Sequence, residues 1–279
     1  RIIAIISGGI AERAKFWPQL MATAVIVGLV YPFFEGIAWN QHFGVQAWLK
    51  ATFGEEFHDF AGSAIVHSVG GVLALIGALV LGPRLGKYRS DGRSNAIPGH
   101  SLTIACLGVF ILWFGWFGFN PGSTLSGMDS NIARIAVNTN LSAAAGGTVA
   151  ALLTLYQYGK ADLSMALNGA LGGLVAITAG CAFVTPISSL VIGAAAGTLI
   201  VIAVPFFDRL RADDPVGAIA VHGVCGTFGT LAVGIFAQQG GLLYGGGVHL
   251  LLIQLLGVTA VGLWGFGATY ALFSLLKAT

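Results

Sequence analysis

Charge is scarce in this chain of 279 residues: Asp, Glu, Lys and Arg together make up 9% of it, where a water-soluble domain carries about a quarter. With 56% of the residues hydrophobic and a mean hydropathy of +0.85, a soluble fold is excluded. Cysteine is nearly absent too. Cys106, Cys181 and Cys225 sit in separate apolar runs, an odd set without the close spacing of a disulfide framework or a zinc motif. Proline is rare, at 8 residues, beside 42 glycines with no G-X-Y period. That combination excludes collagen and disorder and suits membrane helices packed closely through small residues. The net charge is +2 and the 13 Lys and Arg are scattered, so no basic face speaks for a nucleic-acid partner. The first residue is not Met, and residues 1–12 read as the last turns of an apolar helix rather than as a signal peptide. We therefore expect a fragment or trimmed chain that opens on a helix stub. What the composition leaves is an all-α polytopic membrane protein, with residues 1–279 forming a single transmembrane domain.

A bilayer crossing takes about 20 apolar residues. Runs of that length predict eight spans after the stub, near 17–39, 60–82, 101–119, 136–157, 164–183, 187–207, 216–237 and 248–276. Glu35 is the only charge inside them, and it should lie near a helix end, because a charge at the bilayer centre costs at least ~2.5–3.5 kcal/mol. Loop charges then orient the chain. Alternate loops carry Arg13, Lys15, Arg84, Lys87, Arg89, Arg93, Lys160, Arg209, Arg211 and Lys277, whereas the opposite loops carry only Lys50 and Arg134. By the positive-inside rule the first set is cytoplasmic, which puts the C-terminus inside; a multi-pass protein of a plasma or inner cell membrane is expected.

One stretch is repeated. Residues 59–71, DFAGSAIVHSVGG, and 214–226, DPVGAIAVHGVCG, share Asp, Gly, Val, His, Val and Gly at matching positions. The charge rule sends the first copy inward and the second outward, the arrangement of inverted repeats, whose substrate sites lie near the midplane. Eight residues of helix rise about 12 Å. His67 and His222 therefore approach the centre of a ~30 Å core from opposite sides if Asp59 and Asp214 mark the interfaces. Asp suits that place because it caps a helix N-terminus and complements its dipole. Ionisable residues inside a membrane are functional candidates, and two neutral imidazoles can share one N–H···N bond while each turns its other nitrogen toward a substrate. A structural packing pair is the other reading. No metal is expected, since two histidines with no intramembrane carboxylate or thiolate at ligand spacing fall short of three or four ligands. An enzyme is not expected either, because no nucleophile or carboxylate lies mid-span beside the pair, and no cofactor is implied. Gly62, Gly70, Gly71, Gly223, Gly226 and Gly229 surround the histidines and would let helix backbones approach closely. His42, His58, His100 and His249 fall in loops or at helix ends and read as solvated.

The two repeat segments, together with GWFGFNPGS at 115–123 and SGGIAERAKF at 7–16, are similar in content, order and spacing to signature segments of the ammonium transporter (Amt/Mep/Rh) family. The likeness runs along essentially the whole chain. It implies an inverted-repeat fold of eleven helices, assembled as a homotrimer in the lipid bilayer with a narrow hydrophobic pore in each subunit. Roughly the first two and a half spans and the cytoplasmic tail are then expected outside this chain. The resemblance places His67 and His222 on the family's twin pore histidines, Trp39 on the aromatic of an outer recruitment site, Ser123 on a hydroxyl that accepts from the bound ion, and Phe119 on one of two gate phenylalanines. Tyr31, Trp116 and Thr178 fall on positions that line or support the pore. Taken without the resemblance, Trp39 also fits an interfacial belt aromatic, Phe119 and Trp116 also fit packing, and Ser123 also fits a turn or cap residue. The implied activity is transport of ammonium: NH4+ is captured outside, loses a proton, and passes as NH3 with that proton through the histidine-lined pore. The alternative is an ammonium sensor that signals through an appended cytoplasmic domain. A P-II signalling protein on the cytoplasmic face is the partner that the resemblance implies.

Overall fold

Apolar runs bounded by Ser, Thr, Asp and Gly form helices whose first turns are capped from within the sequence. Ser101, Asp162 and Thr185 accept hydrogen bonds from the backbone N–H groups of Ile104, Met165 and Ser188, which satisfies donors that a helix start leaves without a partner. Gly54 and Gly159 close two helices in the left-handed conformation, at φ 84° and 72°. The computed structural model describes residues 2–278. In chain order its principal helices are α1 (Ile2–Gly9), α2 (Phe16–Ala38), α3 (Val45–Phe53), α4 (Ser63–Leu81), α5 (Leu102–Thr124), α6 (Ile132–Tyr158), α7 (Leu163–Ile177), α8 (Pro186–Arg209), α9 (Ile219–Phe236) and α10 (His249–Ala278). Among the described residues the only extended pairing is an isolated bridge between Tyr88 and Ser94.

Six of these helices, α2, α4, α5, α8, α9 and α10, are long and apolar enough to cross a membrane. With 27 residues α6 has the length, but it carries Asn138, Thr139, Asn140 and Ser142. Helix α7 stops at Ile177 after 15 residues, short of the helical run to 183 expected from the sequence. Its following carbonyls explain the stop: those of Thr178 and Ala179 accept from Ala61 and Phe60, and those of Cys181 and Val184 accept from the Asn138 side chain. The backbone beyond Ile177 thus closes only local turns through its N–H groups, while these carbonyls are engaged by neighbours. Helix α2 is interrupted by a π turn at Ile26–Val30, just ahead of Pro32, which lacks an N–H and crowds the carbonyl four residues back. Glu35 lies half-buried in the last turn of that helix.

The two repeat copies begin α4 and α9, which run antiparallel. Arg84, just past the end of α4, binds Asp213, just ahead of the start of α9. These helices meet through glycine: a Cβ on Gly71 would fall 2.3 Å from Gly223 Cα, and one on Gly226 would fall 2.5 Å from the Ser63 carbonyl oxygen. Only hydrogen fits there. Helices α6, α7 and α8 pack as tightly around Ser142, whose carbonyl oxygen would lie 2.2 Å from a Cβ on Gly173 and 2.1 Å from one on Gly193. Helix α5 exposes Phe110 and Phe114, a surface suited to hydrocarbon rather than water.

Candidate functional site

Asp59 and Asp214 start the two histidine helices in the same way. The carboxylate of Asp59 is buried and accepts four backbone N–H groups, from Gly62, Ser63, Ala64 and Ile65, at 2.7–3.0 Å. Asp214 accepts from Ala218 and Ile219 at 3.0 and 2.6 Å. Between cap and helix, Gly62 and Gly217 occupy matching positions of the repeat, both left-handed, at φ 112° and 78°, where a side chain would be strained. Burial pushes both carboxyls up, Asp59 to about 6, against the opposing pull of the backbone N–H groups. Each cap leads into a π turn, Ser63–Ser68 and Ile219–Val224, and each turn contains one of the histidines. Such turns are rare and recur at functional sites.

The structure brings the two imidazoles together. His67 Nδ1 and His222 Nδ1 lie 3.1 Å apart, with the rings 20° from parallel and their centroids 5.1 Å apart. Between neutral rings only one proton fits between the two nitrogens, so one ring donates there, the other accepts, and the tautomer of each is tied to that of its neighbour. Trp116 and Phe119 of α5 stack on His67 at centroid distances of 5.2 and 5.3 Å. Trp116 is oriented in turn by Thr178, whose Oγ1 accepts from the indole Nε1 at 3.1 Å and donates to the Leu174 carbonyl. A cavity of about 440 Å³ opens on this cluster, lined by both histidines, Trp116 and Phe119 together with Ile5, Leu171 and Val221. Tyr31, half-buried beyond the π turn of α2, packs against both main apolar clusters.

Two polar features here were missed in the sequence. Ser68 Oγ and Thr227 Oγ1 lie 2.9 Å apart and form a second polar link between α4 and α9. Ser68 aligns with Gly223 and Thr227 lies one residue past the second copy, so aligning the repeat carries no signal for them. Asn168 borders the cavity as well; a lone amide in the apolar run of α7 was the available cue. Among the described residues no group of three or more His, Cys, Asp and Glu could hold a metal ion.

Away from the Arg84 end, Trp39 is 37% exposed and its Nε1 donates to the Asp59 carbonyl at 2.7 Å. It borders a separate cavity of about 250 Å³ with Gln46, Glu56, His58, Asp59 and Phe60. Ser123 is not among the residues around that cavity. It sits in the 3-10 turn Pro121–Thr124, and its Oγ donates to the Phe119 carbonyl at 2.7 Å. The structure therefore joins Trp39 to Asp59, and the histidines to Trp116, Phe119 and Thr178, while Ser123 attaches to the site through Phe119. His58, expected to be solvated, is half-buried, and burial pushes its imidazole below the usual range despite Glu55 and Glu56 nearby. Its backbone is tied to Gln254.

The sequence matches the Ammonium Transporter Family over residues 2–279. It is 46% identical to ammonium transporter Amt2 of Archaeoglobus fulgidus, over 98% of this chain and 61% of that protein. It is 38% identical to ammonium transporter 1 member 1 of Oryza sativa, over 93% of this chain and 58% of that protein. Among solved structures, a chain described as Sensor Amt Protein superimposes with a TM-score of 0.92 at 44% identity, covering 100% of this chain and 69% of its own length. Candida albicans Mep2 superimposes with a TM-score of 0.85 at 30% identity, covering 97% of this chain and 60% of its own. The chain thus spans about three-fifths of the length of the curated relatives it matches.

Proposed function

The chain belongs to the Ammonium Transporter Family, and from that premise we propose that it passes ammonium across a plasma or inner cell membrane by way of the His67–His222 pair. The observation that carries this reading is the 3.1 Å contact between the two Nδ1 atoms at the wall of a largely apolar cavity. An unpaired cation in hydrocarbon costs far more than a few kcal/mol. NH4+ must therefore be held as a cation in one place and shed its charge before another. At the outer cavity the face of Trp39 offers ~0.5–2 kcal/mol of cation–π attraction; beyond that cavity, beside Phe119, the Ser123 hydroxyl offers a lone pair, and Phe119 keeps bulk water from the histidines. NH4+ gives up one proton, NH3 enters the apolar cavity, and the imidazoles accept from or donate to it while carrying the separated proton. The net passage is NH4+, moved as NH3 plus H+. In this reading Asp59 and Asp214 place the histidines, and Tyr31, Trp116 and Thr178 hold the pore wall. Eight crossings with a cytoplasmic C-terminus, a homotrimer embedded in lipid, and a P-II signalling protein at the cytoplasmic face complete the proposal.

A second reading, an ammonium sensor, is favoured by the likeness to the chain described as Sensor Amt Protein. Currents driven by an ammonium gradient across supported membranes carrying the protein separate the two. A saturable current that disappears in the doubly substituted His67→Ala, His222→Ala protein is the expected result, and an undiminished current there would remove the pair from the path. Binding of ammonium with neither current nor flux moves the function to sensing. Flux of labelled ammonia without current keeps the pore and removes the accompanying proton.

A further inference from the structure

The residues that lead into α4 are held without a helix or a neighbouring strand. Gln46 Oε1 accepts from Phe57 N and Gln46 Nε2 donates to the Phe57 carbonyl, both at 3.0 Å. Gln254 repeats the pattern one residue on: its Oε1 accepts from His58 N at 2.8 Å and its Nε2 donates to the His58 carbonyl at 2.6 Å. The Asp59 carbonyl then takes Trp39 Nε1, and Phe60 N and Ala61 N donate to the carbonyls of Ala179 and Thr178. Both glutamines are buried, at 6% and 0% exposure. A primary carboxamide presents an acceptor and a donor side by side, so each side chain does what the backbone of a missing strand would do. Gln46 also donates to the Ala38 carbonyl beside Trp39, and Gln254 to the Thr230 carbonyl of α9, both at 2.9 Å.

We propose that Gln46 and Gln254 are positioning residues of the ion-capture site, clamping Phe57 and His58 so that Asp59 offers its carbonyl to Trp39 and its carboxylate to the first turn of the His67 helix. Gln254 is outside the residues that border the Trp39 cavity, so it acts through the His58 backbone. The idea rests on the transport reading for its flux measurement and on the geometry alone for its exchange measurement.

Gln254→Met keeps the length of the side chain and loses both hydrogen-bonding groups. With the full-length protein in liposomes, the half-saturating ammonium concentration should rise about three- to tenfold, the equivalent of one neutral hydrogen bond of positioning, with the maximal flux per folded protein little changed. In a Trp39→Leu background the same substitution should leave half-saturation unmoved, because its route runs through Trp39. Backbone amide exchange over residues 62–65 should accelerate in Gln254→Met, whether or not the protein transports. Unchanged exchange, a fall in maximal flux alone, or full additivity with Trp39→Leu would each overturn the proposal. A parent protein without saturable flux whose exchange still responds would sink the transport reading and leave the clamp standing. If Gln254→Met does not fold, Gln46→Met gives the same readouts from the other side of the clamp.

Discussion

Two demands oppose each other at Asp59. Burial favours the neutral acid, while four converging backbone N–H groups favour the carboxylate, and burial wins by enough to bring the carboxyl from 3.8 to about 6. A folded pKa above the unfolded one means that the native state binds the proton more tightly. The associated stabilisation is therefore complete below about pH 4 and lost as pH rises through about 6. We expect the thermal midpoint of the wild-type protein minus that of Asp59→Asn to grow as pH is lowered from 7 to about 4; a flat difference would mean that the carboxyl titrates as in the unfolded chain. At pH 7 the single amide oxygen of Asn cannot accept all four N–H groups, and the donors left over cost about 1–3 kcal/mol. The histidines and their caps were legible in the sequence because the repeat writes them twice. Gln254 was not, since its partner His58 is 196 residues away and nothing local marks an amide that substitutes for a strand.

Helix against helix, glycine sets the distance. Ser142 can lie against both α7 and α8 only because positions 173 and 193 lack a Cβ. Gly193→Ala would place a methyl group 2.1 Å from the Ser142 carbonyl oxygen, and relieving that overlap by separating the helices should cost about 1–3 kcal/mol. Gly108→Ala in α5, whose Cβ would have nothing within 4 Å, is the control. It should be neutral or stabilise by about 0.5–1 kcal/mol through reduced backbone freedom. Thermal unfolding of the two purified variants compares them, and equal midpoints would show that α8 can slide away from α6 at no cost. The all-α class was readable from run length, because lipid demands about 20 apolar residues per crossing and helices satisfy their own backbone. Where α7 stops was not readable. The segment 178–185 is as apolar as the helix before it, and what ends the helix is the pull of Phe60, Ala61 and Asn138 on its carbonyls.

Across the whole molecule, the two halves of the repeat are fastened at one end by a single carboxylate. Asp213, 1% exposed, accepts from Arg84 N, Nε and Nη2 and from Arg13 Nη1 at 2.8–3.2 Å. Arg13 also donates to the Gly9 and Asp213 carbonyls. One residue thus joins the end of α1, the end of α4 and the approach to α9, whose cap Asp214 is the next residue. Burial alone would raise the Asp213 carboxyl, but the Arg84 hydrogen bonds and the charges of Arg84 and Arg13 hold it below its ordinary value. Its linkage has the opposite sign to that of Asp59: the stabilisation is present above about pH 4 and fades as pH falls through the lowered pKa. Asp213→Asn at pH 7 leaves Arg13, 9% exposed at its side chain, short of its counter-charge, and leaves Arg84, 11% exposed, with only the more exposed Glu12 at 2.7 Å. Breaking a buried pair in this way costs about 3–5 kcal/mol, less here because both guanidinium groups keep some access to water. A lowered thermal midpoint is expected, with the gap from wild type closing below about pH 4, and with faster amide exchange over residues 218–224 but not over 62–65. A lowered midpoint with unchanged exchange at Ala218 and Ile219 would mean that the cluster secures the loops without bearing on the His222 helix, and an unchanged midpoint would mean that it does not fasten the halves at all.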